Sequence, residues 1–195
     1  MIRAVAGVLI ALVGTAAAQD RPRIQPTRDV TVAYRVSGAA ASAIPGGIPG
    51  ALRLSWDAAG QRLRAEAEGR TQAVIVDLRA HSAQLLDTGL RSALTLPVRD
   101  GDLQPLTLDG ARLTRRGNDT VAGLACTNWD VQARRGSGVI CLTADGVPLR
   151  ADGDVDGRAG TFTAISVSYG PLPADLFRAP PGFMQLAMPN FGRMK

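Results

Sequence analysis

The residues with the clearest potential for chemistry are two cysteines, Cys126 and Cys141, the only cysteines in the 195-residue chain. No Cys-x-x-Cys motif is present, which argues against a thiol–disulfide exchange enzyme, and two cysteines are too few for a four-cysteine zinc site. In an oxidising compartment an isolated pair of this kind forms one structural disulfide. The sequence therefore predicts a Cys126–Cys141 bridge, and the alternative is two buried free thiols.

The strands that carry the two cysteines do not bring them together in a simple hairpin. Residues 125–133 and 139–143 have the pattern of two paired strands, and residues 135–138 form a glycine-containing turn. A turn at those positions would leave Cys126 and Cys141 six residues out of register, roughly 20 Å along a strand, whereas a disulfide spans at most about 7 Å between Cα atoms. A bridge therefore requires a wider loop or a bulge, which the turn glycines favour.

The remaining residues give little support to catalytic chemistry. His81 is the only histidine, and it lies in a predicted hairpin turn. Neither a Gly-x-Ser-x-Gly motif nor an acidic partner at triad spacing accompanies it. An exposed turn residue is therefore favoured over a general base. We predict no catalytic residue, no cofactor and no enzymatic activity.

Residues 152–157, Asp-Gly-Asp-Val-Asp-Gly, match the first half of a calcium-binding loop, in which oxygen ligands alternate and the sixth position is glycine. The twelfth position is Thr163, where such a loop needs a bidentate glutamate, and the flanking residues have strand patterns. A hairpin turn at Asp156-Gly157 is favoured over a metal site, and no metal ligands are predicted.

The start of the chain has the pattern of an export signal. Residues 1–18 combine an early arginine, a short apolar run and a final triplet of alanines, which predicts a secretory signal peptide cleaved after Ala18. The apolar run is too short for a membrane span. We expect a soluble periplasmic protein with one mature domain, residues 19–195, whose ends at 19–28 and 184–195 are loose.

The basic charge of the chain comes almost entirely from arginine, since Lys195 is the only lysine and the formal net charge is +5. Nucleic-acid binding requires clustered basic residues with aromatic residues between them, whereas these arginines are dispersed. We therefore predict no nucleic-acid partner. Peripheral contact with anionic lipid headgroups remains open.

Alternation of apolar and polar residues predicts a long series of strands. Residues 29–36 place their apolar side chains on one face, and residues 52–57 and 61–68 continue the pattern. Five Asp-Gly dipeptides supply candidate turns. The predicted fold is mainly β, a single antiparallel curved sheet or half-barrel, because a sheet this long curls. One or two short helices are expected, at residues 90–98 and 172–177.

The apolar face of the first strands is the candidate ligand-binding surface. Aromatic residues are scarce and alanines many, so this face could leave room for an apolar guest. The loop at residues 37–50 is rich in glycine, alanine and proline, and it is either a plain surface loop or a lip over the cavity. The six candidate ligand-binding residues are Val32, Tyr34, Leu52, Leu54, Trp56 and Leu63.

Two motifs resemble a known group of exported bacterial proteins. These are Gly-x-x-Cys-x-x-Trp at 123–129 and Cys-Leu-Thr-x-Asp-Gly-Val-x-Leu-Arg at 141–150. They are similar to an exported family of unknown function related to the LolA/LolB lipoprotein-carrier superfamily, and residues 172–183 resemble the way such domains end. The resemblance implies a curved sheet that binds lipid-like tails, with a lipid or lipoprotein as partner, and it carries over no catalytic residues.

Two functions fit these observations. The first is a periplasmic, non-enzymatic carrier-like module for an apolar or lipid-like ligand. The alternative is a structural or interaction protein of the cell envelope with a filled core and no small-molecule ligand. The volume of any apolar cavity in the sheet separates the two.

Overall fold

The computed structural model describes residues 21–39 and 50–187, so the predicted signal peptide and residues 40–49 of the predicted lip lie outside the described residues. Within these ranges the chain forms twelve strands, one α-helix and a short 3-10 helix. The strands are β1 (Val30–Gly38), β2 (Ala51–Asp57), β3 (Arg62–Ala67), β4 (Gln72–Asp77), β5 (Ser82–Asp87), β6 (Ser92–Pro97), β7 (Arg112–Val121), β8 (Leu124–Ala133), β9 (Gly136–Leu142), β10 (Pro148–Val155), β11 (Arg158–Tyr169) and β12 (Met184–Ala187). The α-helix α1 is Asp100–Thr107, and the 3-10 helix is Ala174–Phe177.

All twelve strands belong to one sheet, in the order β12-β6-β5-β4-β3-β2-β1-β11-β10-β9-β8-β7. The predicted mainly-β half-barrel is confirmed, and the sheet is not closed into a barrel. Every neighbouring pair is antiparallel except β12 with β6, which is parallel, so the sheet is mixed at that edge. The segment after β11 brings the chain back to the β6 edge of the sheet, where β12 runs parallel to β6.

Three of the hairpins between β2 and β6 have the same type of turn. In each, an aspartate at the end of a strand accepts a hydrogen bond from the backbone N–H three residues later, which fixes the turn. The residue after that donor has a left-handed backbone conformation and leads into the next strand. The aspartate, donor and left-handed residue are Asp57, Gly60 and Gln61; Asp77, Ala80 and His81; and Asp87, Leu90 and Arg91.

The predicted helix at residues 90–98 is wrong, because that stretch contains strand β6. Its apolar residues fit both a helical and a strand period. In the structure Ala93 is buried on one face of the sheet, while Leu94 projects from the other opposite Leu85 of β5. A helix does follow this stretch: α1 carries the chain from β6, beside one edge of the sheet, to β7 at the other edge.

Strand register divides the apolar residues between two faces of the sheet. We call the face from which Val32, Trp56 and Phe162 project the inner face, and the opposite one the outer face. The larger cluster combines inner-face residues of β1 and β2 with residues of β8 to β11. A smaller outer-face cluster on β4 to β6 is covered by the segment after β11, which includes the 3-10 helix predicted at residues 172–177. Its buried members are Ala73, Ile75, Leu86, Ala93 and Phe177.

Short segments near both ends of the described chain contact the rest of the fold. Before β1, the backbone carbonyl of Pro26 accepts a hydrogen bond of 2.8 Å from Trp56 Nε1, and Arg28 forms a 2.9 Å ion pair with Asp145. After the second cluster, Met184–Ala187 forms strand β12. These short segments contact β2, β6 and the β9–β10 turn, which are far away in sequence, and residues 188–195 lie outside the described part.

The predicted disulfide between Cys126 and Cys141 is present, with Cα atoms 5.5 Å apart. The turn between β8 and β9 is at Arg134-Arg135, not at residues 135–138, because Ala133 pairs with Gly136. That register aligns Asn128 with Cys141, so the cysteines lie diagonally, two residues out of register. A diagonal pair is close enough for the bridge without the bulge or wider loop that the sequence suggested.

Only some of the Asp-Gly dipeptides form turns. Asp156-Gly157 forms the predicted hairpin turn between β10 and β11. Asp152-Gly153 lies within β10 instead, and Asp100-Gly101 begins α1. The dipeptide is compatible with a tight turn, and the pairing of the flanking strands decides whether one forms.

Candidate binding site on the inner face

A cavity of about 360 Å³ lies on the inner face, over β8 to β11 and beneath the residues that follow α1. We call it the glycine cavity, because glycines of three adjacent strands form part of its lining. Apolar side chains from neighbouring positions enclose it. Its lining includes Leu108, Val131, Gly138, Ile140, Gly153 and Phe162.

A row of glycines crosses four neighbouring strands at this point. Gly38 of β1 pairs with Gly160 of β11, Gly160 with Gly153 of β10, and Gly153 with Gly138 of β9. A Cβ atom at Gly138 or Gly153 would collide with the backbone of the opposite strand, so the two strands approach more closely than residues with side chains allow. The result is a strip of the inner face that no side chain covers.

The next row along the strands supplies the apolar wall of the cavity. The row consists of residues paired in register across β8, β9, β10, β11 and β1, namely Trp129, Ile140, Ala151, Phe162 and Val36. Its three central members, Ile140, Ala151 and Phe162, line the cavity. The contrast between a row of glycines and a row of larger side chains produces a step in the surface. This step gives the glycine cavity its depth.

Charged residues surround the rim of the glycine cavity. Arg134, Arg135 and Arg158 contribute to its lining, together with Asp109 and Asp152. Arg135 is paired with Asp156, and its hydrogen bond lowers the pKa of that carboxyl and so keeps the pair charged. The site is therefore apolar at its base and polar at its edge.

The six residues predicted to bind a ligand lie on the same inner face, farther along β1. Five of them line a smaller cavity of about 90 Å³, together with Leu106 of α1: Val32, Tyr34, Leu54, Trp56 and Leu63. Leu52 is buried beside them but does not line that cavity. Ligand-binding pockets usually have a volume of about 300–1,000 Å³, so this one is small.

Tyr34 is the most enclosed polar group of this smaller cavity. Its side chain is 3% exposed, and its hydroxyl donates a 2.6 Å hydrogen bond to the backbone carbonyl of Pro148. Burial raises the pKa of the Tyr34 hydroxyl, which therefore stays protonated. The bond ties β1 to the start of β10 and is structural.

The other residues considered from the sequence stay apart. His81 is an exposed turn residue between β4 and β5, as expected. Within residues 21–39 and 50–187, no group of three histidine, cysteine, aspartate or glutamate residues could hold a metal ion. Across the same ranges no helix has the length and apolarity to span a membrane.

Sequence reasoning missed the glycine cavity. A usable signal was present, since Gly38, Gly138, Gly153 and Gly160 all interrupt stretches that otherwise have strand patterns. Glycine inside a strand marks a bend, a bulge or a close approach of another chain or ligand. Only the pairing of the strands shows that the four glycines stand side by side.

Comparison with known proteins gives structural matches only, since neither a protein-family model nor a curated protein sequence matches this chain. A crystal structure of an uncharacterised conserved protein from Thermus thermophilus has a TM-score of 0.54 at 11% identity, over 83% of this chain and 91% of the other. MucB in the Pseudomonas aeruginosa MucA/MucB complex has a TM-score of 0.51 at 18% identity over 80% of this chain.

This chain spans 56% of the length of the MucB chain it matches. The structural neighbours also include a putative outer membrane lipoprotein-sorting protein domain from Vibrio parahaemolyticus, with a TM-score of 0.37 and 10% identity, over 76% of this chain and 89% of that one. At these identities, the similarity to the Thermus thermophilus protein and to MucB establishes a shared fold and nothing further.

Proposed function

We propose that this protein is an exported, non-enzymatic binding module that holds an apolar or lipid-like group on the inner face of its sheet. The observation that carries the proposal is the glycine cavity, whose volume of about 360 Å³ lies within the range of ligand-binding pockets. Its base is backbone and its walls are aliphatic and aromatic, so it offers an apolar guest contact without displacing a side chain.

The residues predicted from the sequence would form the far end of this site. On β1, Val36 lies between Gly38, which belongs to the row of glycines, and Tyr34, which lines the smaller cavity, all on one continuous face. In our proposal the ligand enters over the glycines, and its end approaches Val32, Leu54 and Trp56. The smaller cavity is too narrow to be the main site.

Export and the shared fold support the same proposal. The signal-peptide pattern of residues 1–18 and the Cys126–Cys141 disulfide both fit an oxidising compartment outside the cytoplasm. The solved complex of MucB with MucA is a case in which this fold occurs in a protein that binds a partner. We therefore place this protein in the periplasm, with a lipid or a lipoprotein as its partner.

A structural role in the envelope is the second candidate. Val32, Tyr34, Leu52 and Trp56 are each less than 10% exposed, so the inner face is filled by its own side chains over β1 and β2. This filled region favours an interaction protein without a small-molecule ligand. The two candidates differ in what they predict for the glycine cavity.

Binding of N-phenyl-1-naphthylamine, a neutral apolar fluorophore, tests the proposal. Ala151→Phe should fill the glycine cavity, because Ala151 lines it between Ile140 and Phe162. We expect the wild type to bind the probe, dodecanol to displace it, and Ala151→Phe to weaken binding at least tenfold. Thermal melts establish that the variant folds.

The matched control is Ala159→Phe, which places the same side chain on the neighbouring strand β11 but on the outer face, at an exposed position. It should bind the probe like the wild type. Absence of probe binding by the wild type, or equal binding by all three proteins, would leave the structural role as the better account.

A further inference from the structure

A third cavity, of about 580 Å³, lies on the inner face at the opposite ends of β8 and β9 from the glycine cavity. We call it the arginine cavity. Three arginines contribute to its lining, two from the segment before β1 and one from the edge strand β7. Its lining residues include Arg21, Arg23, Arg115, Asn118, Thr127 and Trp129.

The arginine cavity is positively charged because its lining, as far as the described residues form it, contains three guanidinium groups and no carboxylate. Elsewhere in the described ranges at least six arginines are paired with aspartate or glutamate. Arg21 and Arg23 have no such partner among the described residues, and Arg115 donates only to the amide oxygen of Asn118, at 3.2 Å. The three side chains are exposed, so water and salt weaken their mutual repulsion, but an anion bound among them is attracted by all three.

The base of the arginine cavity is rigid and offers a further donor. Trp129 and Leu142 are buried beside the disulfide-bonded Cys126, which fixes this part of β8 against β9. Trp129 is 8% exposed, and no hydrogen bond within the described residues uses its indole N–H. The indole N–H is not among the buried donors left without a partner, so it reaches the solvent of the cavity, where a ligand oxygen can accept from it in place of water.

We propose that the arginine cavity binds a phosphate group. Guanidinium groups bind phosphate through paired, charge-assisted hydrogen bonds, and three of them match its charge and its several oxygens. The phosphate is either a free anion or the headgroup of a lipid. This inference rests on charge and does not require a ligand in the glycine cavity.

The position of the arginine cavity on the sheet is compatible with either a free phosphate or a lipid headgroup. Trp129 lines the arginine cavity, and Val131, two residues farther along β8, lines the glycine cavity. Two residues of a strand span about 7 Å, so one amphiphile could reach both cavities. Tighter binding of dodecyl phosphate than of inorganic phosphate would indicate the lipid source, and equal binding would indicate the free anion.

The test measures binding to the mature chain by titration calorimetry at low ionic strength, with inorganic phosphate, dodecyl phosphate and neutral dodecyl maltoside. Arg115→Gln and Arg23→Gln should each weaken binding of both phosphates at least fivefold. Added salt should also weaken it. Both side chains are exposed, so the variants should fold, and thermal melts check this.

The matched control is Arg112→Gln. Arg112 is an exposed arginine on the same strand β7, three residues from Arg115, and it lines no part of the arginine cavity. It should bind both phosphates like the wild type. The proposal is overturned if neither phosphate binds, if Arg112→Gln loses as much affinity as Arg115→Gln, or if dodecyl maltoside competes as well as dodecyl phosphate.

Discussion

The Cys126–Cys141 disulfide should supply a large part of the stability of this domain. The double substitution Cys126→Ala and Cys141→Ala removes the bridge without introducing a polar atom. Alanine is preferred to serine because both positions are buried, and each buried hydroxyl without a partner would cost about 1–3 kcal/mol in addition. The measured loss then reports the cross-link itself.

The magnitude of the loss follows from the length of the closed loop. The two cysteines are 15 residues apart in sequence, and closing a loop of that length in the unfolded chain is worth about 3 kcal/mol at 25 °C. Small domains have free energies of unfolding of about 5–15 kcal/mol, so the bridge is a substantial fraction of the total. With a urea m-value of about 2 kcal/mol per molar, the midpoint should fall by about 1.5 M.

Urea unfolding followed by circular dichroism measures this shift. The wild type in dithiothreitol should approach the midpoint of the double variant, and dithiothreitol should leave the variant unchanged. A midpoint within 0.3 M (roughly 0.6 kcal/mol at that m-value) of the oxidised wild type would refute the reasoning. So would two alkylatable thiols in the purified exported protein, because the bridge would then be absent.

Two further predictions concern the row of glycines and a surface ion pair. Gly153→Ala should destabilise the protein by about 1–3 kcal/mol, since its Cβ would collide with the backbone of β9. In the control Gly117→Ala the new Cβ meets nothing within 4 Å, so the urea midpoint should change little. Equal effects of the two substitutions would contradict the close approach of β9 and β10. The hydrogen bond from Arg150 lowers the pKa of Asp119 below its ordinary 3.8, so this pair stabilises the fold above that pH and the contribution disappears as the pH falls through the lowered value. The urea midpoints of the wild type and Asp119→Asn should therefore converge on acidification, and an Asp119 carboxyl that titrates by NMR at or above 3.8 would contradict this.

Local patterns determined the secondary structure and the class of the fold. In β1 every second residue from Val30 to Val36 is buried and the residues between are partly or fully exposed, and this period is visible in the sequence without knowledge of any partner strand. Strand β10 begins at Pro148, a position that suits a residue without a backbone N–H. The disulfide was predictable because the chain has two cysteines and therefore one possible pair.

Patterns with two local solutions were decided only by tertiary contacts. Residues 92–97 fit a helix or a strand, and pairing with β5 selected the strand. The register of β8 and β9 depended on which residues form the turn, and Arg134-Arg135 cannot be distinguished from the following glycines by turn propensity alone. Register is a property of two strands, so one strand's sequence leaves it open.

The sequence by itself established a mainly-β domain with one disulfide and a predicted export signal, because composition, period and cysteine count are local quantities. The two candidate sites depend on the folded structure. Glycines from four strands adjoin only when β1, β11, β10 and β9 are paired, and Arg21, Arg23 and Arg115 share a cavity although more than 90 positions separate the first two from the third in the chain. Both sites arise from juxtaposition across the sheet, which no period or spacing within one segment encodes.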